Sequence, residues 1–288
     1  MFNRKSHKTP LPARQQVILG CLYDSTCRRV KSTTKKVNKY ISRINEAFET
    51  VNIPVKKVVS LHGNLVFAAA VAPFGKPFLA ALSNLVVGKS TGDTVRLTPL
   101  ARMCLRIWKQ LLFVNEGLGY DFILGRLPRA KYDIFFDAST TWGIGGCCGS
   151  LYFKIPWDKI NPYFDVDVIA RKELLAALVA LWCFSPAIHG KIVTTYTDNT
   201  NVCDWLKAGR SSKLRGLRYL AVWERLKYKH KCQVIPRWLP GAHNTSADKL
   251  SRGYTPDWLR RLGVRRFCNL KQLAHLWNHV DESWKVDC

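Results

Sequence analysis

Four carboxylates stand at the ends of recognisable chain segments, the positions from which acidic side chains can converge on a divalent cation. Asp137 closes the run beginning Tyr132-Asp133-Ile134, and Asp198 closes the strand-like run Ile192 to Thr197. Glu173 opens the helical run Arg171 to Leu178, and Asp248 lies within Asn244 to Arg252. Acids are scarce in this chain, 20 Asp and Glu against 45 Lys and Arg. Gathered carboxylates repel one another unless a divalent ion neutralises them. Neighbouring parallel strands present their carboxyl ends on one rim, so Asp137 and Asp198 would share it. Glu173 borders the apolar helical stripe Leu174, Ala177, Leu178 and Leu181, which draws it toward the interior. Four such carboxylates suit two Mg²⁺ ions about 4 Å apart, with Mn²⁺ as a substitute. One ion would activate a water, and the other would stabilise the leaving oxygen of a phosphodiester.

Each acid also has a plain structural alternative. Asp137 and Asp198 are ordinary turn formers at strand ends. Glu173 and Asp248 suit the first turn of a helix, where a negative charge complements the dipole. The metal reading rests on the set in its element order, not on any one residue.

The elements that would carry these acids form two patterns. Residues 1–16 are basic, contain Pro10 and Pro12, and read as a loose terminus. In 17–125, Ile18 to Tyr23 reads as one short strand, and the rest as mostly helical. Thr34 to Phe48 carries one stripe of Val37, Tyr40, Ile41, Ile44 and Phe48. Pro54 suits the first turn of a second helix, with Val55, Val58, Val59, His62, Val66 and Ala69 on one side. Pro73, Gly75 and Pro77 end it, and Thr98-Pro99 starts a third helix running to about Phe113. Gly125 to Ala130 is the boundary. Residues 126–255 then read as strands 131–137, 143–148 and 151–155, a helix at 171–184, and a strand at 191–198. Helices at 199–209 and 212–229, a strand at 232–238 and a short helix at 244–252 complete it. That order predicts an α/β fold, a mixed five-stranded sheet flanked by helices. The tail 256–288 holds Trp258, Trp277 and Trp284, and its pattern places none of them.

The net charge of +25 calls for a polyanionic partner, and it is spread over both halves. Residues 1–125 hold 19 basic and 6 acidic residues; residues 126–288 hold 26 and 14. No Cys-x-x-Cys pair occurs among the ten cysteines, so a structural zinc site is not indicated. No secretory signal is seen, and the apolar run Leu174 to Phe184 is too short to span a bilayer. Free thiols in a reducing cytoplasm or nucleus are the expectation, with no membrane partner. The adjacent Cys147 and Cys148 are expected to be buried thiols.

Segment 126–255 resembles the ribonuclease H domain of retroelement polyproteins. Asp137-Ala138-Ser139-Thr140-Thr141-Trp142-Gly143-Ile144-Gly145 is similar to that family's first-strand motif, an Asp-x-Ser followed by glycines. Arg171 to Ala176 resembles its glutamate helix, and Thr197-Asp198-Asn199 its Thr-Asp-Asn motif. The most specific match is the ending Asn244-x-x-Ala247-Asp248-x-Leu250-Ser251-Arg252, shared by long terminal-repeat and tyrosine-recombinase retroelements. The resemblance implies a ribonuclease H-like fold with Asp137, Glu173, Asp198 and Asp248 as metal ligands. It implies a Mg²⁺-dependent endonuclease that cuts the RNA strand of RNA–DNA hybrids. His243 corresponds to a mobile histidine that helps product release in that family; a polar loop histidine is the alternative. Upstream, Leu19 to Asp24 resembles the strand just after the polymerase active site of a reverse transcriptase, and Leu61 to Leu65 with Pro73 to Leu79 resembles the thumb and connection of the tyrosine-recombinase (DIRS-like) group. No Tyr-x-Asp-Asp precedes Leu19, so DNA synthesis is not expected of this chain alone. The polymerase part of a reverse transcriptase is accordingly an expected partner.

Residues 207–231 are dense in cations, among them Lys207, Arg210, Lys213, Arg215 and Arg218, against the single acid Glu224. Beside a nuclease site they would grip phosphates; a solvated helix face is the alternative. Trp205, Tyr219 and Trp223 are expected in the core. Two rival functions remain open. One is a catalytically inactive nucleic-acid-binding relic of a retroelement. The other is a transposase or integrase core, which the 50-residue spacing from Asp198 to Asp248 and the Lys-Leu-Ser-Arg after it disfavour.

Overall fold

A computed structural model describes residues 13–118, 120–121, 127–164, 168–210 and 214–278. The chain divides into two compact units, Met1–Arg126 with Trp284–Cys288, and Leu127–Ser283.

The first unit opens with β1 (Gln15–Ile18), β2 (Cys21–Asp24) and β3 (Arg29–Ser32). Helix α1 (Thr34–Glu49), β4 (Ile53–Pro54), α2 (Val55–Ala68), a 3₁₀ turn at Pro73–Phe78 and α3 (Ala80–Val86) follow. β5 (Thr94–Val95), α4 (Pro99–Leu118) and β6 (Tyr120–Asp121) complete it. The antiparallel sheet runs β1-β2-β3-β6. The single strand expected at Ile18 to Tyr23 is in fact two strands and a reversal. Leu19 (φ 51°) and Gly20 (φ 76°) both adopt the left-handed conformation. Leucine gives no turn signal at such a position, so the sequence hides the hairpin. Helix α1 buries Val37, Tyr40, Ile44 and Ala47. In α2 the buried side is Val55, Val58, Leu61, Leu65 and Ala68. Val59 and Val66 are therefore exposed, contrary to the stripe read from sequence. That helix is apolar on most of its surface, so periodicity does not single out one face.

The second unit contains the site. Its strands are β7 (Ile134–Ala138), β8 (Gly143–Cys148), β9 (Leu151–Pro156), β10 (Ile192–Thr197), β11 (Gln233–Trp238) and β12 (Val264–Arg265). Its helices are α5 (Trp157–Ile160), α6 (Ile169–Ile188), α7 (Thr200–Ala208), α8 (Leu214–Lys229), α9 (Thr245–Ser251), α10 (Asp257–Leu262) and α11 (Leu270–Asn278). The sheet order is β11-β10-β7-β8-β9-β12. β7, β8 and β9 form an antiparallel meander, β10 is parallel to both β7 and β11, and β12 is parallel to β9. This is a mixed six-stranded sheet flanked by helices, compatible with a ribonuclease H-like fold. The expectation of five strands missed β12, whose two residues are too short to show any alternation.

Alternation along the strands sorts the two faces. Phe136 and Phe153 turn toward α6, where Phe153 meets Phe184 with ring centroids 5.7 Å apart. α6 is buried from Glu173 through Leu181 and packs between the sheet and α8. Tyr219 and Trp223 are buried on α8, and Trp205 is half-buried on α7. The opposite face carries Phe135, Cys147 and Tyr152, packed against Leu250 of α9 and Leu259 of α10. Full burial of Leu250 alone contributes about 1.5–3 kcal/mol. Residues 257–278, which the sequence pattern does not place, are thus part of this unit. Cys147 and Cys148 are buried free thiols.

Candidate metal centre

Three acids are brought together at one end of the sheet. β7 and β10 pair in parallel with Ile134 opposite Thr195 and Phe135 opposite Tyr196. The same register, continued past the strands' paired residues, sets Asp137 beside Asp198. The stacked Phe135 and Tyr196 rings, 5.0 Å apart, fix it. Glu173 comes from the first turns of α6. One carboxylate oxygen from each of Asp137, Glu173 and Asp198 lies within 4.8 Å of the other two.

Asp137 and Glu173 are buried, 5% and 4% exposed, and Asp198 is half-buried. Burial pushes the Glu173 carboxyl well above its ordinary range, and the Asp137 and Asp198 charges push it further. The Ala138 N–H, turned toward it, partly opposes that rise. Burial also raises Asp137, against the hydrogen bond from Ser251; the charges of Asp198 and Asp248 add to the rise. Asp198 is raised by burial, with Asp248 contributing. Three carboxyls that resist ionisation together are a group that could hold a metal ion in exchange for their protons.

The donor set fits a hard cation. Among the described residues, Glu173 Oε2 is buried and accepts no hydrogen bond. A buried carboxylate oxygen without a donor is costly, and a coordinated ion would satisfy it. Oxygens sharing one octahedral Mg²⁺ at about 2.1 Å sit roughly 3–4 Å apart, so small side-chain adjustments suffice.

Helix α9 props the centre from the second face. Asn244, 1% exposed, donates from Nδ2 to the Phe136 carbonyl at 3.1 Å, tying the start of α9 to β7. Ala247 and Leu250 are fully buried beneath it. Ser251 donates its hydroxyl to Asp137 Oδ2 at 2.5 Å. Ser139 completes the brace: its Oγ donates to the Ser251 carbonyl at 2.8 Å and accepts from the Gly143 N–H at 2.9 Å. The glycines after Asp137 have a steric cause. A Cβ at Gly145, which pairs with Asp137, would lie 2.4 Å from the backbone of Leu250 and Ser251. Only a bare strand lets α9 approach this closely.

Asp248 does not join the trio. Its Oδ1 pairs with Arg252 Nε at 2.8 Å, one helical turn away, and its side chain is 41% exposed. The i, i+4 spacing explains the pairing. The sequence reading had four acids converging; the structure gathers three and leaves the fourth close enough to raise Asp137 and Asp198 electrostatically.

His243 is exposed on the 3₁₀ turn Gly241–His243. That turn runs against Asp198, since a Cβ at Gly241 would come 3.0 Å from Asp198 Oδ2. Trp238, which opens the terminal motif but carries no site role in the sequence, donates from Nε1 to the Asp198 carbonyl at 2.8 Å and holds the end of β10. In the basic stretch, Lys207 and Arg210 are exposed and Arg218 is half-buried. Lys213 lies outside the described residues, and so does the side chain of Arg215. Lys227 is paired with Glu224 at 2.8 Å, and the exposed Lys229 lies over the Trp182 ring. Among the described residues no helix is long and apolar enough to cross a membrane.

No protein-family model and no curated protein sequence matches this chain. Among solved structures, the foamy viral protease-reverse transcriptase in complex with double-stranded DNA aligns at 14% identity and a TM-score of 0.31. The alignment covers 80% of this chain and 38% of that one, a likeness too weak to add to the geometry.

Proposed function

We propose that the unit Leu127–Ser283 is a Mg²⁺-dependent endonuclease that cuts the RNA strand of RNA–DNA hybrids, and that it is part of a retroelement reverse transcriptase. The observation that carries this reading is the convergent trio of the buried Asp137 and Glu173 and the half-buried Asp198 inside a chain of net charge +25. The motif resemblance supports the retroelement origin, through Asn244 to Arg252 in particular, with the tyrosine-recombinase group as its source.

Asp137, Glu173 and Asp198 would hold the ion, and Asp248, freed from Arg252, would be the fourth carboxylate beside them. When bound, Mg²⁺ makes a coordinated water nucleophilic at neutral pH and offsets negative charge on the phosphate. Ser251 and Trp238 keep Asp137 and Asp198 in place. Lys207, Arg210 and Arg218, with Lys213 and Arg215, bind the backbones of the hybrid. His243, on the turn against Asp198, assists release of the cut strand. The 2′-hydroxyl is the group that distinguishes the RNA strand.

The Asp248–Arg252 pair favours a second reading, a nucleic-acid binder without turnover. One experiment separates the two. The chain is incubated with an end-labelled hybrid in Mg²⁺, and binding is measured in parallel. Cleavage that Asp198→Asn abolishes supports the nuclease; binding without cleavage supports the inert binder.

A further inference from the structure

The segment after α9 has a composition unlike the rest of the surface. Residues 252–267 carry five Arg against one acid, Asp257. Between the cations stand three exposed aromatic rings: Tyr254 at 71%, Trp258 at 46% and Phe267 at 83% exposure. Burying such rings is strongly favourable, so their exposure marks a contact surface.

The segment is anchored, not loose. Leu259 is fully buried beneath α10, and β12 pairs with β9 through Val264–Leu151 and Arg265–Tyr152. Lys154 Nζ donates to the Gly253 carbonyl at 2.6 Å, and Arg265 Nη2 donates to the Lys154 carbonyl at 3.3 Å. The Arg265 guanidinium lies 5.5 Å from the centre of the Phe267 ring. Lys154, Arg260 and Arg265 therefore form a cationic cluster with aromatic rings beside it. Their crowding has an electrostatic signature: partial burial, then Arg265 and Arg260, hold the Lys154 ammonium below its ordinary value. Asp257 lies 3.4 Å from Arg260, but both side chains are largely exposed to solvent, which screens the pair.

The cluster shares a sheet face with the acid trio. Asp137 pairs with Gly145, and Gly145 pairs with Lys154, so the three residues stand in one row across β7, β8 and β9. Lys154 is thus two strand spacings from Asp137, roughly 10 Å, with α9 packed over Gly145 between them. That is within the span of a few nucleotides.

We infer that Tyr254, Trp258 and Phe267, with Lys154, Arg260 and Arg265, form a second binding surface, and that its ligand is single-stranded nucleic acid. Bases stack on the rings while phosphates meet the cations, the combination that holds single strands without sequence preference. An anionic membrane also attracts mixed basic and aromatic surfaces. The nearness of this cluster to a carboxylate centre, two strands away on the other side of α9, favours nucleic acid. To that extent the inference rests on the function proposed above, but the binding it describes needs no metal.

The test is fluorescence anisotropy of labelled 12-nucleotide oligo-dT and oligo-rU with the full chain in EDTA, so that failure of the metal centre cannot affect it. Tyr254→Ala/Phe267→Ala alters only highly exposed rings and is expected to weaken binding at least fivefold. Arg260→Glu/Arg265→Glu is expected to weaken it at least tenfold and to flatten the salt dependence by about 1.4 in log–log slope. The matched reversal Lys56→Glu/Lys89→Glu is expected to have a smaller effect. Equal affinity in the wild type and both surface variants would overturn the inference, as would an equal loss in the matched reversal. It would also fall if both variants kept oligonucleotide binding but lost binding to phosphatidylserine vesicles, or lost self-association in sedimentation.

Discussion

The Ser251 hydroxyl sits 2.5 Å from Asp137 Oδ2, joining residues 114 positions apart in the chain. Ser251 is fully buried and closes α9, so this contact ties the helix directly to the first acid of the trio. Loss of a hydrogen bond to a buried charged group typically costs about 1.5–3 kcal/mol. Ser251→Ala is expected to lower stability by about that amount in urea unfolding, and to lower cleavage more than hybrid binding. An unchanged unfolding midpoint would show that the contact does not support the centre.

Two glycines give opposite expectations. Gly145→Ala drives a methyl into the backbone of α9 and should destabilise by at least about 1–3 kcal/mol. Gly63 lies in α2, and a Cβ there meets nothing within 4 Å. Gly63→Ala should stabilise by about 0.5–1 kcal/mol through helix propensity alone. Thermal unfolding of the two variants checks both signs.

Much of this arrangement was legible in the sequence. The strand runs ending at Asp137 and Asp198 and the helix starting near Glu173 follow from alternation and helical spacing. The mixed sheet with flanking helices follows from their order. What stayed hidden has particular causes. The reversal at Leu19 uses a residue type that rarely takes a left-handed turn. β12 has no periodicity to read. The α2 face was misassigned because Val59 and Val66 compete with Leu61 and Leu65 for the interior. The Asp248–Arg252 pair is visible as i, i+4 spacing, but spacing alone does not decide whether an acid faces a metal or its own helix.

That pair gives a prediction of its own. Both side chains are substantially exposed, so Arg252→Gln should change stability by no more than about 1 kcal/mol. It removes the cation that competes for Asp248, and is expected to tighten Mg²⁺ binding several-fold. Asp248→Asn should weaken binding instead. Thermal shift against Mg²⁺ concentration reads both, since ligand binding to the folded state raises the midpoint. Identical Mg²⁺ dependence in the wild type and both variants would exclude Asp248 from the centre.

The raised carboxyls set the pH dependence of the metal-free protein. Glu173 holds its proton more tightly in the folded than in the unfolded state. Its contribution is therefore fully present below the ordinary value of 4.5 and is lost as pH rises through the raised folded value. Stability in EDTA should fall across that interval. Glu173→Gln should remove this component and leave the metal-free protein more stable at pH 7. Mg²⁺ should restore stability to the wild type at pH 7 but much less to the variant. Urea midpoints from pH 4.5 to 8, with and without Mg²⁺, test this. A wild-type midpoint in EDTA that does not fall relative to that of Glu173→Gln would contradict it.

The most direct test of the central claim is cleavage of an RNA–DNA hybrid, labelled on its RNA strand, by the full chain and its Asp198→Asn variant. The expected result is Mg²⁺-dependent RNA cutting by the wild type, at least a hundredfold slower cutting by the variant, and similar hybrid binding by both. Binding without cutting by the wild type in both Mg²⁺ and Mn²⁺, or equal cutting by the two proteins, would contradict the assignment of Asp137, Glu173 and Asp198 as a catalytic metal centre.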